Sequence, residues 1–303
     1  MKISRKHRWI KITAIVVGAL LAVYIGLSIY GATAAMPLPR LPLKPGVTPA
    51  SLGLAYEDVS FRSREDDVLL KGWYLPGQGD IAIIIVHGGY QNRVDDNVDT
   101  LDLARDLVQK GYDMLLFDLR GRGESEGKGL ALSNIERDIG GAVDYLKARG
   151  YPAGRIVIMG FCSGAASSAI FASQNSVGAL ILTGCFATVH NIFITEAASQ
   201  GVPRFLANIF TPGVLLASEA IYRYQPVDPI DIIADVACPI LFIHEENDVF
   251  ISQEEMEELY RSASNPDSEF WEVDNCLHSQ AYKTYPVEFI AKVDGFLARS
   301  IKN

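Results

Sequence analysis

No acidic residue occurs in the first 31 positions, whereas Lys2, Arg5, Lys6, Arg8 and Lys11 all do. The remainder of the chain therefore sets 22 of the 27 basic residues against 36 acids. A body this acidic lacks the clustered Lys and Arg that phosphate contacts require, which argues against nucleic acid as a partner. Cysteine is sparse too. Cys162, Cys185, Cys238 and Cys276 are far apart and include no C-x-x-C pair, so neither a disulfide framework nor a zinc site is encoded. There is no low-complexity tract and no internal repeat. With 303 residues and 49% hydrophobic content, the chain has room for one α/β domain of roughly 200 to 250 residues plus an appendage. These absences leave small-molecule chemistry as the best class, with no metal or organic cofactor implied.

Charge is also missing from Ile12 to Tyr30. That run has the length of a membrane-spanning helix, which needs about 20 apolar residues. A secretory signal has a shorter apolar region, about 7 to 15 residues, but Ala32-Thr33-Ala34 offers a small-residue cleavage site. An uncleaved single-pass anchor in the cell membrane is the expectation, and a cleaved signal is its alternative. The upstream basic residues outnumber Arg40 and Lys44 downstream, which places the N-terminus in the cytoplasm and the body outside it. Residues 1–11 thus read as a basic cytoplasmic head and 12–31 as the anchor. Residues 32–47 read as a stalk, extended by Pro37, Pro39, Pro42 and Pro45, and 48–303 as the folded body.

Within that body, Ile156-Val157-Ile158-Met159-Gly160-Phe161-Cys162-Ser163-Gly164 is a strand that ends in a sharp turn and resumes as a small-residue helix. Gly160 and Gly164 flank Cys162 at the spacing of a nucleophile elbow, where neighbouring backbone leaves no room for side chains. Ser163 does not fit that frame, because its own flanks would be Phe161 and Ala165. An Asp and a His follow at the ends of later strands, in the order nucleophile, acid, histidine.

At this point the chain, over about residues 54 to 300, resembles the α/β-hydrolase family. Three further segments carry the resemblance: His87-Gly88-Gly89 after the β-branched run Ile81 to Val86, Asp118-Leu119-Arg120-Gly121-Arg122-Gly123-Glu124-Ser125 after a buried strand, and Asp274 to His278 after the last strand. The resemblance implies a mostly parallel sheet flanked by helices, with a small helical cap at about 186–228. It also implies a catalytic triad of Cys162, Asp248 and His278, and an oxyanion hole made by the backbone N–H groups of Gly89 and Ser163. Asp248 stands in the family's acid loop. There Glu245 replaces the usual glycine, and Glu246 is a minor rival. The Asp118 loop reads as a structural brace in which acid and arginine pair. His7, His87, His190 and His244 have bland placements, which leaves His278 as the base.

Local signals add detail. Ser133 and Glu136 form a capping-box pattern at the start of a helix. Within the cap, short helices at 192–198 and 205–209 are expected, broken by Gly201, Pro203, Pro212 and Gly213.

Cysteine at the elbow resembles dienelactone hydrolases, whereas the anchor and the Asp-Arg-Gly loop resemble serine-based lipase, thioesterase and peptidase relatives. A helix N-terminus and an adjacent imidazolium both favour a thiolate. The leading expectation is an anchored hydrolase of ester or thioester acyl bonds working through an acyl-enzyme. An acyltransferase using the same cysteine, and a binding module whose cysteine marks a decayed serine site, are the alternatives. A regulatory Cys162–Cys276 disulfide is a further expectation.

Overall fold

A run such as Ile81 to Val86 is apolar on both faces and suits a strand covered on both sides. In the computed structural model, which describes residues 5–301, it is β3 (Ala82–Val86), buried throughout. The other strands are β1 (Glu57–Arg62), β2 (Leu69–Leu75), β4 (Asp113–Phe117), β5 (Ile156–Phe161), β6 (Ala179–Thr183), β7 (Ile240–Glu245) and β8 (Glu269–Val273). They form one sheet in the order β1-β2-β4-β3-β5-β6-β7-β8. β2 runs antiparallel to both β1 and β4, and all other neighbours are parallel. This is the mostly parallel α/β architecture that the sequence implies.

The strand order reverses between β3 and β5, which pair with Val86 opposite Gly160. In an open parallel sheet the crevice beyond the carboxyl ends of such a pair is left uncovered by the crossover helices, and sites form there. The His87 turn follows β3, and Cys162 follows β5.

The helices are α1 (Arg5–Ala35), α2 (Thr100–Gln109), α3 (Ile135–Ala148), α4 (Ser163–Gln174), α5 (Val189–Ser199), α6 (Arg204–Tyr222), α7 (Pro229–Ile232), α8 (Gln253–Ser262), α9 (Ala281–Thr284) and α10 (Pro286–Ser300). Of the expected basic head, residues 1–4 lie outside the described residues, as do 302 and 303 at the far end. The chain divides into two compact units. One comprises the described part of Met1–Pro37 together with Phe193–Pro226, and the other Leu38–Ile192 with Val227 to the C-terminus.

Three local expectations are corrected. The Ser133–Glu136 capping box does not form, because Asn134 takes the N-cap with φ 60° and no side chain caps the helix. A true capping box stands at Ser252 and Glu255, where α8 begins. In the cap, α6 runs unbroken through Pro212 and Gly213. Tertiary contact overrides the breaker residues here: a Cβ on Gly213 would lie within 3 Å of both Ser28 and Tyr24 of α1, so glycine is what lets the two helices meet. Residues 38–47, expected as part of a free stalk, belong to the second unit. The Leu38 N–H donates to Gly129 O at 3.0 Å, and the Gly123 N–H donates to Leu41 O at 3.1 Å. Arg40 donates to Gly123 O and Ser125 O at 2.9 and 2.6 Å.

Candidate active site

Cys162 sits between β5 and α4 with φ 53° and ψ −119°, a conformation L-residues rarely adopt. The flanking glycines make it reachable. A Cβ on Gly160 would lie 2.6 Å from Ala165 Cα, and one on Gly164 only 2.3 Å from Val86 O. Strand and helix can therefore approach β3 closely, and the side chain between them is held at the N-terminus of α4. The Cys162 N–H donates to Thr183 O at 2.9 Å and its carbonyl accepts from Ala165 N–H at 3.0 Å, so the strained residue is pinned on both sides.

The turn after β3 comes up against this elbow. A Cβ on Gly88 would stand 3.6 Å from Cys162 Cβ, and one on Gly89 would stand 3.2 Å from Ser163 Oγ. Gly89 and Ser163, the two expected oxyanion donors, are thus neighbours. His87 itself is buried. Its Nδ1 lies 2.7 Å from Gly88 O, and its Nε2 accepts from Leu119 N–H at 3.1 Å, which assigns a neutral tautomer with the proton on Nδ1. Burial pushes its pKa down to about 4, in keeping with a structural role.

Asp248 and His278 meet across the loops after β7 and β8. His278 Nδ1–H donates to Asp248 Oδ2 at 2.5 Å. The other Asp248 oxygen accepts from Phe250 N–H and Ile251 N–H at 2.8 and 3.0 Å, which fixes the carboxylate. His278 Nε2 is buried without an aligned hydrogen bond, yet the Cys162 thiol is near enough to interact with the ring. Burial disfavours a charged imidazole, but the charge of Cys162 and then the bond to Asp248 outweigh it and raise His278 well above its usual range. Glu246 is turned elsewhere, accepting from Asn275 N–H at 2.7 Å. His244 is buried within β7 with its pKa lowered by that burial, and His190 lies on α5.

Several residues that frame this site were not evident in the sequence. A Cβ on Gly184, which has φ +60°, would be 2.7 Å from His278 Cε1, so that position must stay bare. The Phe250 ring meets His278 edge to face at 5.2 Å. Arg122 Nε donates to Gly89 O at 2.7 Å. Within the Asp118 loop, acid and arginine each pair elsewhere, contrary to the expected mutual brace. Asp118 accepts from Arg93 N–H and Glu124 N–H, both at 2.9 Å, and pairs with the Arg93 guanidinium at 3.3 Å. Arg120 pairs instead with Asp138 at 2.7 Å and Asp66 at 2.5 Å. All four cysteines are free thiols, with Cys276 Sγ 3.5 Å from Thr284 Oγ1, so the expected Cys162–Cys276 bond is absent from this state.

Glu245 is the most unusual neighbour. It is fully buried, and neither carboxyl oxygen has a hydrogen-bond partner among the described residues. Burial pushes its carboxyl up to about 8, so it is neutral at pH 7. One atom each from Glu245, Asp248 and His278 lie within 4.8 Å of one another, a spacing that could hold a cation. Asp248 and His278 spend their facing atoms on each other, and a protonated Glu245 offers no charge there.

The family model described as serine aminopeptidase, S33, matches residues 78–227. The alpha/beta hydrolase domain-containing protein WAV2 of Arabidopsis thaliana is 28% identical over 254 residues, covering 81% of this chain and 79% of that protein. The protein YqkD of Bacillus subtilis is 28% identical over 223 residues, 70% of each chain. Among solved structures, the Pyrococcus furiosus esterase Pf2001 superposes with a TM-score of 0.74 at 23% identity, covering 88% of this chain and all of that one. The α/β hydrolase GrgF from Penicillium sp. sh18 gives a TM-score of 0.65 at 19% identity, over 82% of this chain and 99% of the other. With the sheet order, the elbow after β5 and these likenesses in agreement, the chain has the α/β-hydrolase fold.

Proposed function

We propose that this protein is a membrane-anchored hydrolase that cleaves ester or thioester acyl bonds through Cys162, His278 and Asp248. The observation that carries the reading is the strained Cys162 at the α4 N-terminus, next to an imidazole whose far nitrogen is 2.5 Å from a fully held carboxylate. A decayed site would have no reason to retain that constellation. The anchor is α1, long and apolar enough to cross a membrane.

In this mechanism Cys162 Sγ attacks the acyl carbon, forming the C–S bond while the carbonyl π electrons move to oxygen. The Gly89 and Ser163 N–H groups hold that oxyanion. Its collapse breaks the bond to the leaving group, which takes the proton from His278 Nε2. A water molecule then gives a proton to the same nitrogen and attacks the thioester. Departure of Cys162 Sγ releases the free acid and returns Cys162 and His278 to their starting state. Asp248 keeps the imidazole in the tautomer that presents Nε2 to the reacting atoms.

Mass spectrometry of the full chain after incubation with short-chain activated esters and thioesters tests this. Expected is an acyl adduct on Cys162, followed by release of free acid, with both lost in Cys162→Ala. A folded, reduced protein that forms no adduct and turns over none of them would make the chain a binding module. An adduct that resolves only onto an added amine would make it an acyltransferase.

A further inference from the structure

We propose that α6 lies in the same membrane leaflet as the C-terminal half of α1, and that the substrate is a long-chain acyl ester resident in that leaflet. This rests on the anchored hydrolase reading and names its substrate class. The two helices belong to one compact unit and meet over a defined stretch. The Tyr24 and Phe210 rings stack at 5.2 Å, and Tyr24 O–H donates to Ile209 O at 3.2 Å. A Cβ on Gly31 would lie 2.7 Å from Val214 Cγ2. Bare positions on each helix thus let the pair close up, the way helices associate where lipid offers no hydrophobic drive. The stretch from Tyr24 to Gly31 is the end of the apolar run farthest from the basic head.

α6 carries a second apolar face. Phe205, Ile209, Pro212 and Leu216 recur at i, i+4, i+7 and i+11, which is one stripe on a helix. Phe205, Ile209 and Leu216 are 66%, 52% and 68% exposed. Left in water, each would forgo the stabilisation that burial of its apolar surface supplies. The stripe is about 16 Å long at 1.5 Å per residue, close to half of a 30 Å hydrocarbon core. The hydroxyls of Thr211 and Ser218 donate to Ala207 O and Val214 O of the same helix, both at 2.8 Å, which leaves those groups satisfied in a medium without water. The exposed apolar surface of α1 continues beside this stripe, with Leu21, Ile25 and Ile29 all exposed. Acyl chains of one leaflet fit both surfaces.

The covalent chain ties this membrane unit to the chemistry. α1 ends at Ala35, and Leu38 already packs beside the oxyanion turn, its Cδ1 3.6 Å from where a Gly89 Cβ would be. Three residues reach about 10 Å at most. An ester whose acyl tail stays in the leaflet is the substrate that this short tether suits.

The experiment reconstitutes the full chain in phosphatidylcholine vesicles doped with a diazirine-bearing phosphatidylcholine and maps the photolabelled peptides. Turnover of a long-chain ester embedded in the vesicles and of a water-soluble short-chain ester is measured for wild type and for the combined Phe205→Gln, Ile209→Gln, Leu216→Gln variant. Expected are label on 205–216 as well as on α1, and a loss of at least tenfold on the embedded ester with the soluble ester unchanged. Label on α1 alone, or equal turnover losses on both esters, or no loss on either, overturns the proposal. A wild-type chain that labels as expected but turns over neither ester and forms no Cys162 adduct overturns the hydrolase reading, and with it the substrate assignment.

Discussion

Arg122 Nε donates to the carbonyl oxygen of Gly89 at 2.7 Å, fixing the peptide plane of the turn that faces the elbow. Arg122 also donates to Leu38 O at 3.3 Å, so one guanidinium joins the Gly89 turn to the segment that follows α1. Its burial pushes its pKa down to about 10, still charged at neutral pH. Arg122 is a positioning residue in this arrangement, since it reaches Gly89 only through the backbone.

Replacing Arg122 with Met keeps the length and removes the donors. The Gly89 turn would then be free to shift, and misplacements of about 1 Å at a catalytic group cost about a hundredfold. The expected outcome is a ten- to hundredfold fall in kcat with KM little changed and the fold intact by circular dichroism. A change confined to KM would place Arg122 in substrate binding instead.

The backbone at Cys162 predicts a separation of stability from activity. At φ 53° and ψ −119° a Cβ is strained, at a cost of order 1 to 3 kcal/mol, and glycine pays none of it. Cys162→Ala and Cys162→Gly both lack the thiol, so comparing them isolates the strain. The glycine variant is expected to be more stable by about 1 to 2 kcal/mol in denaturant unfolding, with both inactive. Equal stability would mean that the neighbouring contacts, and not the dihedrals, set the energetics of the elbow.

How much of this was legible in the sequence depends on how local each signal is. β3 and β5 announce themselves as β-branched runs, and the glycines around Cys162 mark an elbow because each excludes a side chain from a specific close approach. Asp248 and His278 could be picked out by their place after strands. The roles of Arg122, Gly184 and Leu38 could not, because each depends on a partner brought in from elsewhere in the chain by the sheet. Pro212 misled for a related reason. Its local preference is to break a helix, and the meeting of Gly213 with α1, distant in sequence, overrules it. Glu245 was visible as a departure from the usual glycine, but its complete burial follows from its position at the end of β7 in the assembled sheet.

Gly184 offers a steric test of the histidine. Alanine there would have to adopt φ +60° and would place its Cβ 2.7 Å from His278 Cε1. The ring must yield, since the backbone at Gly184 is tied to Ile243 O through its N–H at 3.2 Å. Gly184→Ala is expected to lower kcat by about a hundredfold and to weaken the Asp248–His278 bond, seen as loss of the downfield imidazole N–H proton resonance. Retention of both that resonance and full turnover would show that the loop absorbs the methyl group.

Glu245 predicts how stability varies with pH. In the unfolded chain its carboxyl ionises near 4.5, whereas in the fold it keeps its proton up to about 8, because burial penalises the charge more than His278 and the Ser279 and Ala281 amides favour it. Between those values unfolding releases a proton, so this residue's contribution falls as pH rises, by about 1.4 kcal/mol per pH unit, and levels off above about 8. Glu245→Gln has nearly the same shape and cannot ionise. The variant is expected to match wild type in denaturant unfolding near pH 4.5 and to become progressively more stable than it toward pH 8. The difference between the two curves, and not either curve alone, is the diagnostic, because other titrating groups cancel in it. A constant difference across that range would show that Glu245 is ionised in the fold, held by the Ser279 and Ala281 amides.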